Sequence, residues 1–237
     1  MLEKELQLER DLFFFLNGSD SAFWDNFFYI FSYKWTWLIF YLCFLWVFIY
    51  KKKWKEIICI LAAVALLILL SDQISSGIIK PLFHRFRPTH HPDFKYLVDI
   101  FRFGNYEYRS GGFGFISSHA ANSFGLATFC ALIFRNKIFS CTIFLFALIT
   151  GYSRIYLGVH FISDVIAGAF VGILVGWIIY MIYNWVRHKW LLIESSELKN
   201  PIYSIRDTYF ICGVFYLCII VMLIFNNQLI TIILQNK

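Results

Sequence analysis

Charge is scarce in this sequence. Asp, Glu, Lys and Arg make up only 15% of its 237 residues, while 59% are hydrophobic and 21% aromatic. That balance excludes an ordinary water-soluble domain, which could not hide so much apolar surface. CxxC pairs and Cys/His ligand spacings are lacking too. Cys43, Cys59, Cys130, Cys141, Cys212 and Cys218 fall in apolar stretches and read as small buried hydrophobes. No cleavable signal is visible, because the opening MLEKELQLERDLFFFLNG mixes acids and bases before a very short apolar patch. It reads instead as an amphipathic helix on the membrane interface, covering residues 1–22. Internal repeats and low-complexity linkers are missing, which leaves a single domain over residues 1–237.

What is present is a series of runs near the length of about 20 apolar residues that crosses a bilayer. Six spans are expected: Phe27 to Tyr50, Ile57 to Ile79, His119 to Phe134, Ile138 to Tyr152, Val159 to Trp185 and Tyr209 to Ile233. Arg135, Asn136 and Lys137 form the turn that separates the third from the fourth. The expected fold is all-α, a polytopic membrane bundle of about six transmembrane helices, since lipid offers an isolated strand no hydrogen-bond partners. The basic loops YKKKWK, RNK and VRHKW fall on one side, expected to be cytoplasmic. Both termini then lie opposite. The net charge of +6 is assigned to loops facing anionic lipid, and no nucleic-acid partner is expected.

Alternation of the spans brings three polar clusters to one face: KPLFHRFRP (Lys80–Pro88), ISSH (Ile116–His119) and SRIYLGVHFISD (Ser153–Asp164). His160 and Asp164 are spaced i, i+4, which would place both on one helix face with His160 in the first turn. A carboxylate on one ring nitrogen leaves the other free to attack or to take a proton. A structural His/Asp pair has the same spacing. Lys80, Arg87 and Arg154 are each ordinary interfacial cations when taken singly. Converging near a histidine, they supply what a phosphoryl group needs as charge builds on its oxygens. Ser117 and Ser118 offer hydroxyl and N–H donors at a helix start, or simply a cap, and His119 beside them suits a general acid. Asp72 is read as a partner of the basic cluster or else as a simple hydrogen-bonder within the bundle. His84, His90 and His91 are read as solvated loop residues, and His188 as an interfacial one.

Lys-x6-Arg-Pro, Ser-x-His and Ser-Arg-x5-His-x3-Asp, in that order, resemble the three-part signature of the type 2 phosphatidic acid phosphatase family, which shares its site with vanadium haloperoxidases. The signature lies within Lys80–Asp164, the segments of the catalytic core. The resemblance implies that His160 forms a phosphohistidine oriented by Asp164, that His119 protonates the leaving group, and that Lys80, Arg87, Ser117, Ser118 and Arg154 bind phosphoryl oxygens. It implies neither metal nor cofactor. The family usually has proline before the second-motif serine, where this chain has Ile116.

The expected activity is hydrolysis of a phosphomonoester or diphosphate on a membrane lipid, at a site facing the periplasm or cell exterior of a bacterial inner membrane. Undecaprenyl diphosphate, phosphatidylglycerol phosphate, phosphatidic acid and lipid A phosphates are the candidate substrates. Selectivity is assigned to Tyr96, Phe101, Phe103, Tyr106, Tyr108 and Arg109 in the long loop. A lipid phosphotransferase and a non-enzymatic lipid transporter are the alternatives, and the oligomeric state is open.

Overall fold

The structure is a computed structural model that describes residues 2–194 and 197–235, so Met1 and the last two residues lie outside it. Helices dominate: α1 (Leu2–Leu16), α2 (Ala22–Ser32), α3 (Leu38–Ile49), α4 (Trp54–Asp72), α5 (Lys80–Phe83), α6 (Ser118–Phe134), α7 (Lys137–Tyr156), α8 (Ile162–Trp190), α9 (Ile205–Ile224) and α10 (Asn226–Gln235). Strands are confined, among the described residues, to a two-residue hairpin pairing Arg102–Phe103 with Tyr106–Glu107. The chain is an integral membrane helical protein. Among the described residues, four helical stretches are long and apolar enough to cross a bilayer, and a fifth span arises if the bent first pair counts as one.

Several boundaries differ from the sequence expectation for physical reasons. The first expected span is broken: Tyr33 is extended, and the segment Lys34–Ile49 turns 67° away from α2. The Trp37 indole N–H donates to the Phe31 carbonyl at 2.7 Å, satisfying an oxygen left without an intrahelical donor. The second span is longer than expected, Trp54–Phe83, because a π-helical turn at Gln73–Ile79 carries α4 into α5. The last span divides at Phe225, beyond which α10 packs on α2. Asn226 donates to the Phe23 carbonyl at 3.2 Å and Asn26 to Asn227 at 3.3 Å. Of the cysteines, Cys141 is exposed, contrary to the expected burial, whereas Cys59, Cys130 and Cys212 are buried.

The centre of the bundle is α6, of 17 residues and about 25 Å. It is shorter than a full crossing, and six spans are reached only by counting it. Its main neighbour, α8, presents Gly168, Gly172 and Gly176 every fourth residue. A Cβ at Gly172 or Gly176 would collide with the carbonyl oxygens of Ala121 and Gly125. The two backbones therefore approach closely, as small-residue faces allow inside membranes. This contact fixes the start of α6 against the start of α8, where the site lies.

Candidate active site

The loop after α5 and the loop before α6 run antiparallel. The Arg87 amide donates to Gly112 at 2.9 Å and the Gly114 amide to Arg85 at 2.8 Å. Side chains at 85 and 87 thus leave the same short ribbon toward the start of α8. Gly114 is required here by space, since a Cβ would lie 2.9 Å from an Asp164 carboxylate oxygen and 3.2 Å from Arg87 Cγ. The Phe115–Ile116 peptide is cis.

His160 is almost fully buried and lies two residues before α8 rather than in its first turn. The His160/Asp164 pair accordingly forms across the helix start and not along a helix face, correcting the sequence expectation. Asp164 Oδ2 accepts from His160 Nδ1 at 3.3 Å and from the Phe161 amide at 3.0 Å. A guanidinium can only donate, so the 3.0 Å contact of Arg87 Nη1 with His160 Nε2 assigns the lone pair to Nε2 and the proton to Nδ1. Burial, then the charges of Arg87, Arg154 and Lys80, push the His160 imidazole well below its ordinary pKa and keep it neutral. Arg87 also donates to the Val159 and Phe113 carbonyls at 2.9 and 3.0 Å. Burial and Arg154 lower its pKa to about 10, which leaves it charged at neutral pH.

Lys80, at the end of the π-helical turn, donates to Ser118 Oγ at 2.6 Å and to Ser76 Oγ at 3.2 Å. Ser76 in turn bonds Asp72 at 3.2 Å, placing Asp72 one hydroxyl away from Lys80 as a partner of the basic cluster. Ser117 is buried, its Oγ accepts from the Ala120 amide at 3.4 Å as the α6 cap, and its own amide bonds the Asp164 carbonyl. Arg154 is buried against Ser32 and donates to Tyr108 OH at 2.8 Å, while its Nε has no partner among the described residues. His119 is exposed and has Arg154, His160, Arg87 and Lys80 as its electrostatic neighbours. It lines an open cavity of about 200 Å³ with Tyr29, Ser32, Tyr33, Lys34 and Tyr108.

The three clusters therefore meet. Of the loop residues singled out for selectivity, Tyr108 touches Arg154, whereas Phe101 is buried and stacks on Tyr29 at 4.1 Å. Tyr96 points away, with 85% of its surface exposed. His84 is exposed, and His91 stacks on Phe94 at 3.9 Å.

Two participants escaped the sequence reading. Arg85 Nη1 donates to Asp164 Oδ1 at 2.9 Å and to Ser163 Oγ at 2.6 Å, with its guanidinium 4.5 Å from the Phe161 ring centre. Its other nitrogen meets Glu9 of α1 at 2.8 Å, and Glu9 also accepts from the Ser163 amide at 2.9 Å. Arg85 was visible as an extra cation inside Lys80–Pro88. Glu9 carries no signal, since nothing local distinguishes it from other acids of an amphipathic helix.

The PAP2 superfamily model matches residues 61–188. Two relatives carry the name Lipid A 4'-phosphatase. The protein from Porphyromonas gingivalis is 45% identical over 204 residues, covering 86% of this chain and 84% of the relative. The one from Bacteroides thetaiotaomicron is 39% identical over 201 residues, covering 85% and 86%. Among solved structures, Aquifex aeolicus LpxE superposes with a TM-score of 0.53 at 29% identity, covering 73% of this chain and 95% of that one. With the matched region spanning all three clusters, this chain belongs to the PAP2 superfamily and is a membrane lipid phosphatase.

Proposed function

We propose that the chain removes the 4'-phosphate of lipid A by way of a phosphohistidine at His160. The observation that carries the mechanism is the state of His160: Nδ1–H is held by Asp164 and the Nε2 lone pair faces a guanidinium. A phosphoryl group entering between Nε2 and Arg87 meets the nucleophile on one side and a bidentate donor on the other. Lys80 and Arg154 complete the cationic surround of the equatorial oxygens, with Ser117 and Ser118 at the α6 start beside them. The P–O bond to the sugar breaks as the Nε2–P bond forms. His119, at the open cavity, delivers a proton to the departing oxygen and then takes one from the water that releases phosphate. The relatives' names support the substrate.

In this reading α1 lies on the bilayer surface. Leu8, Leu12 and Phe15 expose an apolar stripe at i, i+4 and i+7, while Glu9 and Phe13 turn inward. The domain is single, and the site faces the periplasm of a bacterial inner membrane.

The test is purified protein in nanodiscs with lipid A phosphorylated at both positions, analysed by mass spectrometry. Loss of one phosphate from the 4' position, absent in His160→Ala, supports the proposal. Release from the other position, or from phosphatidic acid alone, overturns the substrate. Phosphate appearing on an added lipid acceptor instead of in solution identifies a transferase.

A further inference from the structure

We propose a second anion site at the far end of the bundle, built to hold the phosphate-bearing headgroup of an anionic phospholipid. The span Trp54–Phe83 carries Lys80 of the active site in its last turn. Its first residue therefore lies about 40 Å away, at 1.5 Å per residue. There a cavity of about 870 Å³ opens between the start of α4 and the end of α8. Four lysines between Lys51 and Lys55, together with Arg187, line it against two carboxylates, Glu56 and Glu197.

Interfacial lysines by themselves need no ligand, because their stems snorkel and their ammonium groups reach water. Arg187 differs. Its side chain is only 8% exposed, and its Nε is bound to Glu56 at 3.0 Å. Its Nη1 has no hydrogen-bond partner among the described residues. Glu56 is in turn occupied by the Tyr183 hydroxyl, so that carboxylate is already shared. A buried guanidinium nitrogen left unpaired is costly, and an anion in the cavity supplies the acceptor it lacks.

The start of α4 adds independent donors. No side chain caps this helix of 19 residues at Lys53, so its first amides and the positive end of its dipole face the same region. The choice of a lipid follows from the rim. Trp54 and Trp190 meet edge to face at 6.3 Å with the Lys55 ammonium 5.8 and 5.6 Å from their ring centres. Both indoles are exposed, as are Leu192 and other apolar groups nearby. Amphipathic rings beside a basic cavity match the level of a membrane where headgroup phosphates lie.

Delipidated protein in detergent, titrated separately with phosphatidylglycerol, phosphatidylcholine and inorganic phosphate, tests this by native mass spectrometry. One phosphatidylglycerol per chain should be retained at a concentration at least ten-fold below that needed for phosphatidylcholine. The preference should vanish in Lys53→Ala/Lys55→Ala and persist in His160→Ala, which separates the cavity from the catalytic site. An unchanged Tm shows that the double variant is folded. Equal retention of both lipids, or a double variant that behaves as wild type, overturns the proposal. Retention of inorganic phosphate with no lipid preference overturns the lipid source.

Discussion

Replacing Arg85 by Met tests whether Asp164 needs a partner of its own to hold His160. Asp164 is fully buried and makes two bonds through Oδ2, so Arg85 is its main counter-charge at Oδ1. Hydrogen bonds to charged groups contribute about 1.5–3 kcal/mol. The Arg85 side chain retains 26% exposure although Asp164 retains none, which moves the expectation to the lower half of that range. At 1.4 kcal/mol per decade, kcat should fall by about 10- to 50-fold. KM should stay near its wild-type value, because Arg85 lies behind the imidazole, where it contacts Glu9, Ser163, Asp164 and Phe161. Glu9→Gln should reduce kcat less, and the pair should be non-additive in a double-mutant cycle, since both act through one ion pair. Steady-state phosphate release, with Arg85→Lys as the charge-conserving control, reads all of these. A rise in KM at constant kcat would refute the argument and make Arg85 a substrate ligand. Unchanged kinetics would show that α8 alone holds Asp164.

For His160, the depressed pKa means that the neutral nucleophile persists as pH falls through about 6.5 and is lost only below it. The buried imidazole then also destabilises the fold below about pH 6.5, where the unfolded chain binds the proton more readily. Side-chain NMR of labelled histidine should place the midpoint below 6.5; a midpoint at or above it contradicts the electrostatic reading. Gly172→Val should cost about 1–3 kcal/mol through overpacking against the Ala121 carbonyl, seen as a lower Tm in detergent. An unchanged Tm would mean that α6 and α8 do not approach as described. His119→Ala should slow turnover by about 10²–10⁴-fold with sugar leaving groups, yet less with an activated aryl phosphate that needs no proton. Equal losses on both substrates would remove His119 from the acid role. Chelation should leave phosphate release unchanged, and a loss restored by a divalent metal would refute the histidine-and-cation mechanism.

Composition alone determined that this chain lives in a membrane, because no soluble packing hides 59% hydrophobic residues with 15% charge. The spacing of the motifs identified Lys80, Arg87, His119, Arg154, His160 and Asp164 as groups that meet, since alternating spans bring their loops to one end. Local pattern could not give the 67° break at Tyr33, the division at Phe225 or the start of α8 after His160. Those depend on acceptors supplied from elsewhere, such as the Phe23 carbonyl for Asn226. Nor could it give the Arg85–Glu9 link, which joins residues 76 positions apart. Sequence specified which charges this protein would carry into the bilayer. Only the packed helices decided which of them gather around His160 and which hold the others in place, because a buried charge takes its role from the partner that tertiary structure brings within hydrogen-bond reach.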